Sequence, residues 1–191
     1  MSESQVGELE TVLEQSDEEL QESLPEVLPS VADDPEALLT TNPEAFRELA
    51  ERMATLEGIE AFAENEPEAV DAFLTLLWDG LELISRNIDQ VGEDINQEFS
   101  ICWHCTDTDV EFHMETDPEE GLITGGPGEL DAELDFEGES DVMFSMLGDP
   151  EFDGTQAFMQ GQFQIDGPIP KAQQLAQVME SALDGLADEQ L

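Results

Sequence analysis

The chain has 191 residues, which suits one domain with an appendage, and it carries 49 acidic but only 4 basic residues, for a net charge of −45. Because phosphates and anionic lipid surfaces are bound through basic side chains, this charge argues against nucleic acid and against anionic membranes as partners. Apolar residues still make up 39% of the chain and recur at helical and strand periods, which argues against a disordered polymer.

The first 40 residues, 1–40, are predicted to form an acidic arm that is flexible or loosely docked. Ser16 and Glu19 have the spacing of a capping box at the start of a short helix. Pro25, Pro29 and Pro35 then interrupt the helical pattern and are typical of a linker. We therefore expect the organised fold to begin near residue 41.

Residues 41–95 are predicted to be helical. Asn42 can cap a first helix, Pro43 suits its first position, and Gly58 can end it. A longer second helix is predicted from Glu66 or Pro67. Its apolar face recurs at helical spacing and comprises Val70, Phe73, Leu74, Leu77, Leu81, Ile84 and Ile88.

Residues 96–191 change to a strand-rich pattern. The runs EFSICWHCT and VEFHMET, separated by DTD, predict a hairpin. Further along, LDAELDF alternates apolar and acidic residues and predicts a strand from Leu130 to Phe136. SDVMFSMLG predicts a short helix, and a C-terminal helix is predicted from about Ile169.

This order of elements predicts an α+β fold. We expect an antiparallel-rich β-sheet of about five strands with helices packed on one face and a helical N-terminal extension. Residues 41–191 are expected to form one globular unit, in which 96–191 carry the sheet.

The stretch TQAFMQGQFQIDG and its flanks resemble the C-terminal half of the sterol carrier protein type-two family. The shared pattern is Ala-Phe-Met-x-Gly-x-apolar-x-apolar-x-Gly, carried here by Ala157, Phe158, Met159, Gly161, Phe163, Ile165 and Gly167. The resemblance runs from about Gln97 to Leu183 and is strongest from Leu130 onward. Family members usually carry lysines around this strand, whereas this chain has Gln162 and Gln164, so recognition of an anionic headgroup is not carried over.

The resemblance implies a non-catalytic domain that binds a lipid in an apolar tunnel between the sheet and the helices. Flexible methionines, which adapt to varied apolar ligands, recur among the phenylalanines of this region. The residues expected to line the tunnel are Phe136, Met143, Met146, Leu147, Phe152, Phe158, Met159, Phe163, Ile165, Leu175, Val178 and Met179. Phe158 and Met159 are expected to close the short helix over the sheet.

The motif CWHC invites a metal or thiol-redox interpretation. It lies in a predicted strand, however, where Cys102 and Cys105 point to opposite faces and are too far apart for a disulfide. The most apolar hairpin register places Ile101, Trp103 and Cys105 beside Met114, Phe112 and Val110.

That register gathers four candidate metal ligands on the opposite face of the hairpin. Cys102 then faces His113, and His104 faces Glu111, which makes a mixed sulfur, nitrogen and oxygen set suited to a borderline divalent metal. The competing interpretation is a polar outer face with an incidental thiol.

The charge also predicts where the protein works. Acidic residues spread over the whole chain predict a protein adapted to high salt, since salt screens their mutual repulsion. The segment MSESQVGELE lacks the features of a signal peptide, and we expect a cytoplasmic protein without a membrane-spanning helix.

Three functions remain open at this stage, and all are non-enzymatic in their simplest form. The first is a lipid carrier holding a sterol, a fatty acyl chain or an isoprenoid lipid, with no cofactor. The second is an interaction or regulatory module with a filled core, forming a homodimer or binding a protein through its N-terminal helices. The third is a metal or thiol site on the hairpin of residues 98–116.

Overall fold

A five-stranded sheet forms the centre of the C-terminal half. The structure, a computed structural model, describes residues 3–188. The strands are β1 (Phe99–Cys105), β2 (Glu111–Asp117), β3 (Leu122–Pro127), β4 (Leu134–Gly138) and β5 (Phe163–Asp166). Their spatial order is β3-β2-β1-β4-β5. All neighbours pair antiparallel except β1 and β4, which pair parallel. The predicted α+β class and the number of strands are confirmed.

The hairpin of β1 and β2 has the register that its apolar pattern predicts. Ile101 lies opposite Met114, and Trp103 lies opposite Phe112. All four side chains are fully buried. A shift by one residue would turn this whole set to the polar face, which is why the alternation specifies the register so strongly.

The strand β4 is shorter than predicted. It begins at Leu134, and residues 128–133 instead cross the outer face of the sheet. The reason lies in the topology, because the chain must travel from β3 past β2 and β1 to reach the far side of β1. The backbone N–H of Glu133 donates to Ser100 Oγ at 2.9 Å and ties this crossing segment to β1.

Seven helices precede the sheet. They are α1 (Glu3–Leu13), α2 (Asp17–Ala32), α3 (Pro35–Thr41), α4 (Pro43–Ala54), α5 (Ile59–Asn65), α6 (Pro67–Asn87) and α7 (Asp89–Asp94). The start of α4 at Pro43 and of α6 at Pro67 agree with the sequence prediction. Helix α4 ends earlier than predicted, at Ala54, and Gly58 adopts a positive φ of 78° just before α5, which the sequence analysis did not predict.

Residues 3–41 form packed helices, which corrects the expectation of a flexible or loosely docked arm. Their apolar side chains enter the common core, and the fully buried ones include Leu9, Leu20, Leu24, Leu28, Val31 and Leu38. The guanidinium of Arg52 in α4 donates to the carbonyl oxygens of Leu13 and Gln15 and lies 2.9 Å from Asp17 Oδ1. The N-terminal helices are therefore held against the rest of the fold by their buried apolar side chains and by the Arg52 guanidinium.

The prolines expected to form a linker lie inside or at the start of helices. Pro25 and Pro29 are within α2, and Pro35 is the first residue of α3. An interior proline costs roughly 3 kcal/mol, but each buried leucine of α2 contributes about 1.5–3 kcal/mol, and four apolar residues of this helix are buried. Burial therefore outweighs the lost helical hydrogen bonds.

The sheet packs its apolar face against α6 and α8 (Ser140–Gly148). Trp103 lies between Trp78 of α6 and Phe112 of β2, with ring centroids 5.9 Å and 5.0 Å away. Helix α6 approaches β3 so closely that a Cβ atom on Gly125 would lie 2.7 Å from the Trp78 ring. One continuous core runs from Val6 to Ala182.

The last elements follow the predicted order. Helix α8 is followed by α9 (Gly154–Met159), strand β5 and the C-terminal helix α10 (Ile169–Asp188). Among residues 3–188, no helix is both long and apolar enough to cross a membrane.

Candidate functional site

A cavity of about 860 Å³ lies between the sheet and the C-terminal helix. Its walls come from the end of α8, the loop of residues 149–153, α9, the inner face of β4 and β5, and one side of α10. Arg47 and Glu51 of α4 complete the rim. A lipid-holding tunnel at this place, which the family resemblance implied, stays a prediction.

Three phenylalanine rings lead from the surface into this cavity. Phe158 is 38% exposed, whereas Phe163 and Phe136 are 6% and 2% exposed. Neighbouring ring centroids are 5.8 Å apart for Phe158 and Phe163 and 5.7 Å apart for Phe163 and Phe136. Phe158 and the half-exposed Ile169 thus mark the mouth, and Phe136 lies at the inner end.

Nine of the twelve residues expected to line a tunnel are on the cavity wall: Phe136, Met146, Leu147, Phe152, Phe158, Phe163, Ile165, Leu175 and Met179. The other three lie elsewhere. Met143 is fully buried in the core beneath Gly138, and Val178 is 4% exposed away from the wall. The role of the nine in holding a ligand stays a prediction.

Met159 is the residue placed most differently from its prediction, since it is 80% exposed. Helix α9 spans only six residues, and Asp153 caps it by accepting from the Gln156 N–H at 2.9 Å. This helix buries Ala157. Two residues further on, the chain has turned roughly 200° around the helix axis, so Met159 points away from the sheet.

Sequence reasoning missed Arg47 and Glu51 because α4 lies outside the region that resembles the family. It also missed Ile169 and Ala172, which line the cavity from the first turn of α10. Ile169 did offer a signal, being a large apolar residue beside Pro168 and Pro170 in an otherwise polar stretch.

The charge at the mouth is predominantly negative. Asp149, Glu151 and Asp153 lie in the loop beside the cavity, and Glu51 lies across from them on α4. Among the described residues lining the cavity, Arg47 is the one basic side chain, and it forms an ion pair with Glu44. The cavity can therefore hold an apolar body, while its rim disfavours a strongly anionic headgroup.

A second group of titratable side chains lies on the opposite face of the sheet. His104 is flanked by two carboxylates, with Nδ1 lying 2.9 Å from Glu111 Oε1 and Nε2 lying 3.2 Å from Asp135 Oδ1. Burial by itself would lower the pKa of His104, but the hydrogen bonds and charges of both carboxylates outweigh it and raise the pKa above 6.5.

Cys102 lies beside this histidine and is fully buried under the crossing segment of residues 128–133. Burial raises the pKa of its thiol, although a hydrogen bond with the Leu130 backbone acts in the opposite direction. Burial also raises the pKa of Cys105, to about 11, on the other face. Both thiols therefore favour the neutral form.

The structure changes the membership of the predicted ligand set. It brings together Cys102, His104 and Glu111, as predicted, but the ring of His113 turns away and its Nδ1 lies 2.9 Å from the Gly128 carbonyl oxygen. Asp135, which the prediction did not include, lies beside Cys102 and His104 instead. Sequence reasoning missed it because the parallel pairing of β1 with β4 joins segments that are distant in the chain.

Residues 95–180 match the model of the SCP-2 sterol transfer family. The resemblance found in the sequence is confirmed. A search of curated protein sequences found no match.

Several solved structures are similar to this chain. A UbiJ-SCP2 ubiquinone synthesis protein has 11% identity and a TM-score of 0.43, covering 56% of this chain and 91% of its own. Sterol carrier protein 2 from Yarrowia lipolytica has 16% identity and a TM-score of 0.43, covering 58% and 92%. A sec-alkylsulfatase from a Pseudomonas species has 14% identity and a TM-score of 0.43, covering 82% and 30%. At these identities the likeness concerns the fold alone.

Proposed function

We propose that this chain is a non-catalytic lipid-binding carrier protein. The observation that carries the proposal is the cavity of about 860 Å³, with nine apolar residues of the family-like region on its wall. Its volume falls within the range of roughly 300–1,000 Å³ that is typical of small-molecule sites. The match of residues 95–180 to the model of the SCP-2 sterol transfer family supports the same role.

Binding would be driven by removal of apolar surface from water. Each square ångström buried contributes about 25 cal/mol, so a ligand that fills the cavity with hydrocarbon gains more than one that places polar groups there. The acidic rim favours a ligand whose polar end is neutral. A sterol or an isoprenoid lipid therefore suits the site better than a free fatty acid, and a neutral acyl ester remains compatible with it.

We further propose that the carrier works in the cytoplasm of an organism with high internal salt. The support is the charge of −45, which a folded chain tolerates better when salt shortens the range of repulsion.

The interaction module lacks the feature that would favour it. That hypothesis requires an exposed apolar patch on α6, but Leu76, Leu77 and Leu81 are all buried. A homodimer or a protein partner on the N-terminal helices stays a prediction that oligomeric-state measurements can address.

Native mass spectrometry of the freshly purified protein tests the carrier function directly. We expect a co-purifying apolar molecule, released by denaturing extraction. A chain that carries none and that also ignores a fluorescent sterol and a fluorescent acyl ester in high salt contradicts the proposal.

Two matched methionine variants locate the site. Met146 is half-buried on the cavity wall, whereas Met159 is exposed and off the wall. Met146→Trp fills the cavity and is expected to weaken binding of the fluorescent sterol by about 10-fold or more, while Met159→Trp leaves it unchanged. Equal effects of the two variants would place binding elsewhere, and far-ultraviolet circular dichroism of both verifies the fold.

A further inference from the structure

The outer face of the sheet carries a cluster of three different donor atoms. Cys102 Sγ, one imidazole nitrogen of His104 and a carboxylate oxygen of Asp135 all lie within 4.8 Å of one another. We propose that these three side chains bind a zinc-like divalent metal ion. A metal at ordinary bond lengths of about 2.0–2.3 Å can contact all three donors after small side-chain movements.

Strand pairing fixes the positions of these ligands. In the parallel register of β1 and β4, Cys102 lies directly opposite Asp135, and His104 follows two residues later on the same face. Sites built on strands hold their ligands more precisely than sites built on loops. The cluster therefore differs from the many acidic pairs scattered over this surface.

Glu111 orients the ring of His104. Its Oε1 lies 2.9 Å from His104 Nδ1, and an ionised carboxylate there can only accept, so this contact favours the proton on Nδ1. That bond fixes the ring orientation and leaves Nε2, the nitrogen facing Asp135, as the lone pair available to a metal. Histidine ligands of metals usually carry a carboxylate or carbonyl on their other nitrogen in this way.

The cluster is partly open to solvent. The side chains of His104 and Asp135 are 24% and 43% exposed, and Cys102 forms the closed end. A divalent ion entering from solvent would keep one position for water, giving three protein ligands and one open site. On binding, the Cys102 thiol releases one proton to solvent, and the resulting thiolate forms the sulfur–metal bond. Where the His104 ring is protonated, its Nε2 proton also leaves to solvent, which frees the lone pair for the metal.

The site is separate from the proposed lipid cavity. Asp135 and Phe136 are neighbours on β4 and point to opposite faces of the sheet, and Phe136 lines the cavity. Loss of metal binding therefore leaves the lipid proposal intact, and the reverse also holds.

Titration with Co²⁺ of the full chain, in high salt with excess Mg²⁺, tests the proposal. Magnesium occupies exposed carboxylates but competes poorly for sulfur and imidazole. We expect one Co²⁺ per chain, a thiolate-to-cobalt charge-transfer band, and displacement of the cobalt by Zn²⁺. Glu111→Gln should weaken Co²⁺ binding by about 10–100-fold, as loss of an orienting carboxylate does at other sites.

The chain offers a matched control for two of the ligands. Cys102→Ser should abolish the charge-transfer band, and Cys105→Ser, on the opposite face, should retain it. His104→Gln should abolish tight binding, and His113→Gln, whose ring bonds to Gly128, should leave it unchanged.

Either of two results overturns the proposal. Cobalt that shows no thiolate band and is removed by Mg²⁺ is bound only by surface carboxylates. A band that survives Cys102→Ser, or an equal loss in His104→Gln and His113→Gln, excludes these ligands. The cysteine and histidine pairs are independent, so a variant that fails to fold in one pair leaves the other decisive.

Discussion

At the scale of single residues, His104 shows how a position on a strand decides the charge of a side chain. Its neighbours on β2 and β4 place Glu111 and Asp135 on its two ring nitrogens. In the metal-free protein both N–H groups can donate to carboxylates only if the ring is protonated. The raised pKa of His104 follows from these two contacts, which outweigh its burial.

The raised pKa makes a prediction about stability and pH. A histidine whose folded-state pKa lies above its unfolded value stabilises the protein fully below the unfolded pKa, and the contribution is lost as pH rises through the folded pKa. The parent chain should therefore exceed His104→Gln in free energy of unfolding by more at about pH 5.5 than at about pH 8.5. Chemical denaturation in the presence of a chelator measures this difference.

The control for this experiment is His113→Gln, which alters the other histidine. The difference in free energy of unfolding between His113→Gln and the parent chain should change less with pH. If the difference in free energy of unfolding between the parent chain and His104→Gln stays constant or grows toward alkaline pH, the two carboxylates do not hold a proton on the ring.

The sequence was sufficient for part of this cluster and insufficient for the rest. Cys102, His104 and Glu111 are predictable because the hairpin is local and its register follows from apolar alternation. Asp135 is not, because a parallel neighbour reached by a crossing segment has no local signal. His113 was included wrongly because a backbone register does not say which way an exposed ring turns.

At the scale of elements, the same distinction separates correct predictions from wrong ones. The helices α4, α6 and α8 carry caps, an initial proline or a clear apolar stripe, and each lies close to where the sequence placed it. Helix α2 contains two prolines that locally favour a linker, and only the core contributed by other helices explains why its leucines keep it helical. Tertiary burial overrides propensity there.

The Phe46 side chain of α4 lies against Gly80 of α6, which gives a prediction at this scale. A Cβ atom on Gly80 of α6 would lie 2.5 Å from Phe46 Cζ, and the Phe46 ring is only 2% exposed and has little room to move. Gly80→Ala is therefore expected to destabilise the fold by about 1–3 kcal/mol, which urea denaturation in high salt measures.

The matched control is Gly7→Ala in α1, where nothing lies within 4 Å of the added carbon. Here the substitution should stabilise the protein by roughly 0.5–1 kcal/mol, because alanine loses less backbone entropy than glycine in a helix. Effects of the same sign at both sites would mean that helix propensity, and not the contact with the Phe46 ring, governs the effect of Gly80→Ala.

At the scale of the whole molecule, the dominant feature is the large excess of acidic over basic residues. Each of the four basic residues already lies beside an acidic side chain, in the pairs Glu44–Arg47, Asp17–Arg52, Glu82–Arg86 and Glu133–Lys171. These pairs use 4 of the 49 acidic residues in the chain. Repulsion among the many other carboxylates must be offset by the core or screened by the solvent.

Stability should therefore depend steeply on salt. The Debye length is about 3 Å at 1 M salt and about 10 Å at 0.1 M, so dialysis to low salt extends repulsion across neighbouring carboxylates. We expect the melting temperature to fall and the fold to be lost as KCl is removed. Trp78 and Trp103 are fully buried, so their fluorescence should shift to longer wavelength together with the loss of circular dichroism.

Sucrose separates screening from a general effect of cosolutes. It is excluded from protein surfaces and strengthens burial, but it carries no charge and screens nothing. If repulsion limits stability, KCl should restore the fold at low concentrations where sucrose does not. Circular dichroism that stays unchanged on dialysis to low salt would mean that the core alone offsets a charge of −45, and the proposed adaptation to high salt would then lose its physical basis.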